Sequence, residues 1–232
     1  MISTSDYKVA LQWATSLLGE LNVPKVFIGQ ENFLEAFLNN DSFSFTTKGD
    51  MPYGQAYGPN PFIDPRWEKC AVAYSKGAPT YGHLQIANQF DFYGRKTEVI
   101  AGFEELEICA DNALIEKVLK ENAPNSSVYP GNSEIIFWGQ VENAAFGALV
   151  KWKSGFHVLV SIVTVESMRG KGLATELTKR MVSKAARLGI QEVALGVSHR
   201  NPAAIKAYER AGFIELSQFT NYYLEPSLQS KH

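Results

Sequence analysis

Apolar residues follow two spacings in the second half of this chain. Leu173, Leu177, Met181 and Ala185 recur at every fourth position, which lays one apolar stripe along a helix that must face a sheet. Just before them, "FHVLVSIVTV" (156–165) is apolar almost throughout; Val158 to Val165 is the pattern of a central strand covered on both faces. Gly189 stands where a glycine C-cap ends the helix. "EVALGV" (192–197) is the next strand, and "NPAAIKAYERAGF" (201–213) a further helix, with Asn201 as N-cap, Pro202 at its first position and Gly212 past its end. Upstream, "EELEICA" (104–110) reads as a strand and "NALIEKVLKENA" (112–123) as a helix. "SEIIFWGQV" (133–141) and "FGALVKWK" (146–153) read as strands, with "ENAA" and "SG" fitting tight hairpin connections. This order predicts an α/β fold with a mixed sheet.

The first hundred residues are patterned differently. Helices are expected near 5–20 and 30–39, and strands at "KVFIG" (25–29) and "KCAVAYS" (69–75). The glycines, prolines and aromatics of "FSFTTKGDMPYGQAYGPNPFIDPRW" (43–67) predict a long irregular loop, of the kind that serves as a lid or binding wall or packs onto its own domain. Tyr53, Tyr57, Phe62 and Trp67 are its aromatic candidates, either for the wall of a pocket or for a small satellite core. Two parts follow, 1–100 as an α+β domain and 101–232 as the α/β domain.

Composition places the chain among globular proteins, with 45% hydrophobic and 20% charged residues. The N-terminal segment reads as a polar-interrupted amphipathic helix instead of a signal or membrane span, so no membrane partner and a cytoplasmic location are expected. Cys70 and Cys109 share no zinc-ligand spacing with His83, His157, His199 or His232, which predicts no metal and two ordinary buried thiols. A net charge of -2 argues against a nucleic-acid partner. The charge is unevenly spread, however: between Lys151 and Gly212 there are 11 Lys/Arg against 4 Asp/Glu. That segment is either a set of solvated helix faces or a surface for a polyanionic small molecule.

The stretch "ESMRGKGLATEL" (166–177) favours the anion. A helix that starts directly after a strand exposes N–H groups with no internal partner, at the positive end of its dipole. Glycines at 170 and 172 remove the Cβ atoms that would hold a phosphate away, and Arg169 and Lys171 add charge. The spacing fits neither a Gly-Lys-Ser/Thr phosphate loop nor a dinucleotide G-x-G-x-x-G turn.

With "NPAAIKAYERAGF" some thirty residues later, this loop resembles the GNAT superfamily of N-acetyltransferases across roughly residues 104–224. Arg169, Gly172 and Ala174 match the family's R/Q-x-x-G-x-G/A signature, and Asn201, Tyr208, Gly212 and Phe213 its second motif. The chain has "VESM" where the family often has a proline before the loop. The resemblance implies a mixed, mostly antiparallel central sheet flanked by helices. Residues 1–100 would then be a decayed half of the same fold or an acceptor-binding part. It implies acetyl-CoA as cosubstrate and no metal. Amides of Arg169, Gly170, Lys171, Gly172, Leu173, Ala174 and Thr175 would hold its pyrophosphate. Backbone groups of Ile162, Val163 and Val165 would pair with its pantetheine arm between two splayed strands, and Asn201 and Ala204 would complete the cofactor contacts. Tyr208 would present its phenol to the thioester sulfur, as proton donor to the expelled thiolate. Asn201 also reads as a plain helix cap, and Tyr208 as a core aromatic on the stripe Ala204, Tyr208, Ala211. For the general base, Glu166 is the catalytic candidate; His157, His199, Glu142 and Glu134 are weaker ones, and water suffices in this family. The implied reaction is acetyl transfer to a primary amine of a small molecule or peptide by a monomer or homodimer. Transfer of a longer acyl group, an alcohol acceptor and a non-catalytic acyl-CoA-binding domain are the alternatives.

Overall fold

The computed structural model describes residues 1–19, 30, 33–48, 53–67, 69–74, 85–126, 128–152 and 155–223. In chain order the elements are β1 (Ile2–Thr4), α1 (Tyr7–Leu18), β2 (Phe33–Asn39), β3 (Ser42–Thr47), β4 (Tyr53–Tyr57), β5 (Lys69–Tyr74), β6 (Gln85–Lys96) and β7 (Glu107–Ile108). They continue with α2 (Asn112–Asn122), β8 (Ile135–Val141), β9 (Ala145–Lys151), β10 (His157–Thr164), α3 (Leu173–Arg187), β11 (Glu192–Ser198), α4 (Pro202–Arg210) and β12 (Ile214–Tyr223). The chain divides into two compact units: Met1–Phe92 with Ser198–Arg200 and the segment from Glu215 onward, and Tyr93–Val197 with Asn201–Ile214.

In the first unit the strands run in the order β1-β2-β3-β4-β5-β12, with β4 and β5 parallel and the other described pairs antiparallel. The Asp6 carboxylate caps α1 by accepting from the amides of Lys8 and Val9, and Ala10 and Ala14 form its buried face. Two sequence expectations are corrected. Residues 33–39 are a strand, not part of a helix, because β1 and β3 pair with both of its edges. The 43–67 segment is not an irregular loop: it supplies β3 and β4, and Phe43, Phe45, Tyr57 and Trp67 turn inward. Tyr57 and Trp67 are 2% and 1% exposed, and the Phe62 ring lies 4.5 Å from that of Phe37. Tyr57 and Trp67 belong to the first unit's own core. Tyr53 and Cys70 lie in strands, and "KVFIG" falls outside the described residues.

A polar network anchors that core. The Trp67 indole N–H donates to Thr46 Oγ1 at 2.7 Å, the Thr46 hydroxyl donates to Asp64, and the Arg66 guanidinium grips the same carboxylate through Nε at 2.8 and 2.9 Å. Burial alone would push the Asp64 carboxyl up, but Arg66, with Thr46, outweighs burial and holds it below its ordinary value of 3.8. A depressed carboxyl contributes stability above about pH 4, and that contribution is lost as pH falls through the lower folded value. Asp64→Asn is therefore expected to lower the urea midpoint at pH 7, and its gap to the wild type should be smaller at about pH 3. An equal gap at both pH values would show that ionisation of Asp64 contributes nothing.

The second unit holds the strand order β11-β10-β9-β8-β7, with β10 and β11 parallel and the other described pairs antiparallel. This is the mixed, mostly antiparallel sheet flanked by helices that the resemblance implies. Val158, Val163, Phe146, Ala148 and Trp138 face α2, whose Ile115, Val118 and Leu119 cover them. Leu159, Leu149 and Phe137 face the opposite side, against Leu177, Met181 and Ala185 of α3 and Tyr208 of α4. The two-sided cover is what the unbroken apolar run of β10 requires. "EELEICA" pairs as a strand only at Glu107 and Ile108. Cys109 is buried, and burial pushes its thiol up, as expected of an inert packed cysteine.

Candidate functional site

Leaving β10, the chain makes a single 3-10 turn over Glu166–Met168 and then enters the glycine segment. Gly170 and Gly172 have φ of 81° and 85°, left-handed values that an L side chain rarely adopts. Gly172 is the N-cap of α3 and offers no side-chain acceptor; the first turn closes with Glu176 N–H on Gly172 O. None of the amides from Gly170 to Thr175 has a protein acceptor among the described residues. A Cβ built on Gly170 or Gly172 would meet nothing within 4 Å, so the space in front of these amides is open. Arg169 and Lys171 are exposed at its rim, and neither pairs with a carboxylate among the described residues. Arg169 is steered by an Nε bond to Thr164 O at 3.2 Å. Leu173 is buried beneath the loop, Ala174 is half-buried, and the Thr175 hydroxyl ties α3 to Ala207 O of α4 at 3.3 Å. Free donors, open space and fixed positive partial charge are the features that an anion cradle requires.

The strand in front of the cradle is half paired. β10 and β11 share only the registers Val158↔Ala194 and Leu159↔Leu195 and then part, whereas β9 continues beside β10 to Thr164. At the point of parting the β9–β10 register shifts between Val160 and Val163, where Ser161 has φ 53°. A left-handed serine costs about 1–2 kcal/mol. The extra residue shifts the alternation along β10 by one and so keeps its side chains in phase with those of β9: Ile162 covers Gly147 beside Met181 on the α3 face, and Val163 packs on the α2 face. Ser161 is held by its hydroxyl, which lies 2.6 Å from Ser126 Oγ and donates to Val128 O at 3.0 Å.

This geometry separates the three residues expected to pair with a ligand. Val165 N–H donates to Ala144 O at 2.8 Å, and its carbonyl accepts from Met168. Backbone groups alternate in direction along a strand, so Val163, opposite Phe146, also faces β9. Ile162, in the bulge, remains, together with Thr164 on the side that β11 has left.

The third part is α4. The Asn201 side chain accepts from Ala204 N–H at 3.1 Å, so Asn201 is a helix cap and the Ala204 amide is engaged. Tyr208 is 6% exposed, packed in the α3-side core with its ring 6.4 Å from that of Phe213. No described protein group bonds its hydroxyl, and burial pushes the phenol up to about 12, so it keeps its proton through neutral pH.

The base candidates are scattered. Glu166 is exposed, its amide held by Asn122 Oδ1 at 3.0 Å and its carboxylate without an ion-pair partner among the described residues. Glu142 sits in the β8–β9 turn with φ 54°, and Glu134 lies before β8. His157 opens β10 opposite Lys151; burial, then the Lys151 charge, lowers its imidazole. His199 belongs to the first unit, where Nδ1 lies 3.0 Å from the buried Asp91 carboxylate. Sequence reasoning passed over Ser161, Ser126 and Asn122, because nothing in "LVSIV" marks a left-handed residue. Among the described residues no group of three or more His, Cys, Asp or Glu gathers as a metal site, and no helix is long and apolar enough to cross a membrane.

Residues 105–213 match the family model described as Acetyltransferase (GNAT) family. Over 66 residues the chain is 33% identical to an N-alpha-acetyltransferase MAK3 of Arabidopsis thaliana and 35% identical to an N-alpha-acetyltransferase 30 of Schizosaccharomyces pombe. Each match takes in 28% of this chain, and 35% and 44% of those proteins respectively. In fold, a GCN5-related N-acetyltransferase of Sphaerobacter thermophilus is similar over 97% of this chain and 95% of its own, with a TM-score of 0.57 at 10% identity.

Proposed function

We propose that the chain, whose residues 105–213 match the GNAT acetyltransferase family model, transfers an acetyl group from acetyl-CoA to a primary amine, the N-terminal α-amine of a peptide or protein. One observation carries the reading: the unpartnered amides of Gly170 to Thr175 stand at the end of the strand that parts from β11. The α-amine is favoured by the likeness to two N-alpha-acetyltransferases.

Acetyl-CoA supplies a thioester carbonyl activated for attack. In the proposal, the amides of residues 170–175 bind its pyrophosphate, with Arg169 and Lys171 adding charge at the rim. Ile162 and Thr164, the latter through its N–H because its carbonyl already accepts from Arg169 Nε, take the pantetheine amides in place of Val163, which faces β9, and Val165, whose N–H and carbonyl are engaged by Ala144 and Met168. As the C–N bond forms and the C–S bond breaks, the amine loses one proton and the departing sulfur is stabilised by one. The Tyr208 hydroxyl, free and protonated, donates to that sulfur, and Glu166, through water, receives the proton from nitrogen.

The test is thiol release from acetyl-CoA with peptides bearing free or blocked N-termini, alongside small amines. Free peptide N-termini are expected to release thiol and blocked ones to release none. Turnover confined to small amines would replace the acceptor class, and a preference for longer acyl-CoA donors would replace the donor. Acetyl-CoA binding with no release across the panel would leave a silent acyl-CoA-binding domain.

A further inference from the structure

The bulge in β10 is held from outside its own sheet. Beyond Leu159 the strand has no β11 partner, so only β9 fixes it, and only along one edge. Such a strand is prone to slip by one residue, and a slip would exchange its two faces, taking Val163 off the α2 side and Ile162 off the α3 side. A left-handed serine at the shift adds to the tendency, because removing the bulge would relieve Ser161 of its φ of 53°. What opposes the slip comes from the C-terminal end of α2 and the residues that follow it. Ser126 Oγ, Ser161 Oγ and Val128 O form a closed triangle of 2.6, 3.0 and 3.1 Å, in which one hydroxyl donates to the carbonyl and the other to the first hydroxyl. Asn122, the last residue of α2, donates from Nδ2 to Val118 O and accepts Glu166 N–H on Oδ1 at 3.0 Å. One helix end thus grips β10 where it leaves β11 and again where it enters the 3-10 turn.

We propose that Ser161, Ser126 and Asn122 are positioning residues that hold the unpaired edge of β10 in register for the acyl donor. The inference rests on the acetyltransferase reading. The hydroxyl triangle compensates the left-handed serine, and the Asn122 bond fixes the turn that delivers the chain to the anion cradle. Ordering both before binding spares the donor that cost.

Three proteins decide it: wild type, Ser161→Ala, which loses the hydroxyl and keeps the Cβ, and Ser161→Gly, which loses both and takes φ 53° freely. Amide hydrogen exchange across 159–165 is measured without ligand, acetyl-CoA affinity by calorimetry, and the thermal midpoint alongside. Ser161→Ala is expected to exchange about tenfold faster there and to bind acetyl-CoA about tenfold more weakly. Ser161→Gly is expected to recover most of the affinity, a rescue that a purely stabilising hydrogen bond does not predict. Unchanged exchange and affinity in Ser161→Ala, a shift in thermal midpoint alone, or a glycine variant as weak as the alanine one each overturns the inference. Failure of the wild type to bind acetyl-CoA overturns the acetyltransferase reading, and this one with it.

Discussion

Tyr208→Phe is expected to lower turnover by roughly 10²-fold while leaving acetyl-CoA affinity within about twofold. The substitution keeps the ring, and with it the packing on Phe213 and the α3-side core, and deletes only the hydroxyl. That hydroxyl has no described protein partner to lose, so its removal leaves no orphaned group behind and the fold should be little affected. In the proposed mechanism the effect then falls on the leaving thiolate, which loses its donor. The raised phenol adds a second signature. Because the group stays protonated until pH approaches about 12, turnover should show no alkaline loss from Tyr208 at pH 8 to 10, where an ordinary tyrosine would begin to ionise. The measurement is a pH series of kcat for both proteins, with acetyl-CoA affinity taken separately. Equal turnover across the series would reduce Tyr208 to a packing residue.

Gly172→Val is expected to raise the acetyl-CoA dissociation constant by about tenfold or more, equivalent to about 1.4 kcal/mol. A Cβ at this position meets no protein atom within 4 Å, so a bulkier side chain would occupy the space assigned to the pyrophosphate. The difficulty is strain, since valine at φ 85° is disfavoured wherever it occurs. Gly189→Val separates the two effects. Gly189 has φ 77°, also with nothing within 4 Å, but it lies past the opposite end of α3. Both variants should lose similar thermal stability, and only Gly172→Val should lose affinity. If both bind like the wild type, the cradle does not hold the phosphates; if both weaken equally, strain alone accounts for the loss.

Much of the second unit is legible because its signals are local. The stripe Leu173, Leu177, Met181, Ala185 is buried, Gly189 closes α3, and Asn201 caps α4 through its own side chain. These are properties of neighbouring residues on one helix, and spacing suffices to read them. The first unit is less legible because its signals are not local. "FLEAFLN" has apolar positions that suit a helix as well as a strand, and pairing with Ile2–Thr4 and Ser42–Thr47 makes it a strand. "FSFTT" is buried along its whole length, and burial of its hydroxyls is not predictable from a polar-looking sequence; Thr46 is accommodated only because Asp64 and Trp67 arrive from later in the chain.

The glycines before an apolar helix already dictate that amides are left without partners there, a consequence of covalent structure and helix geometry alone. Tertiary structure decided which backbone groups face that site. Val163 and Val165 turn to β9 and Thr164 away from it, because a ladder's direction depends on the partner strand. It also decided that a serine sits in a left-handed bulge, because the hydroxyl and carbonyl that hold it there belong to residues some 33 and 35 positions earlier, which no local pattern connects to it.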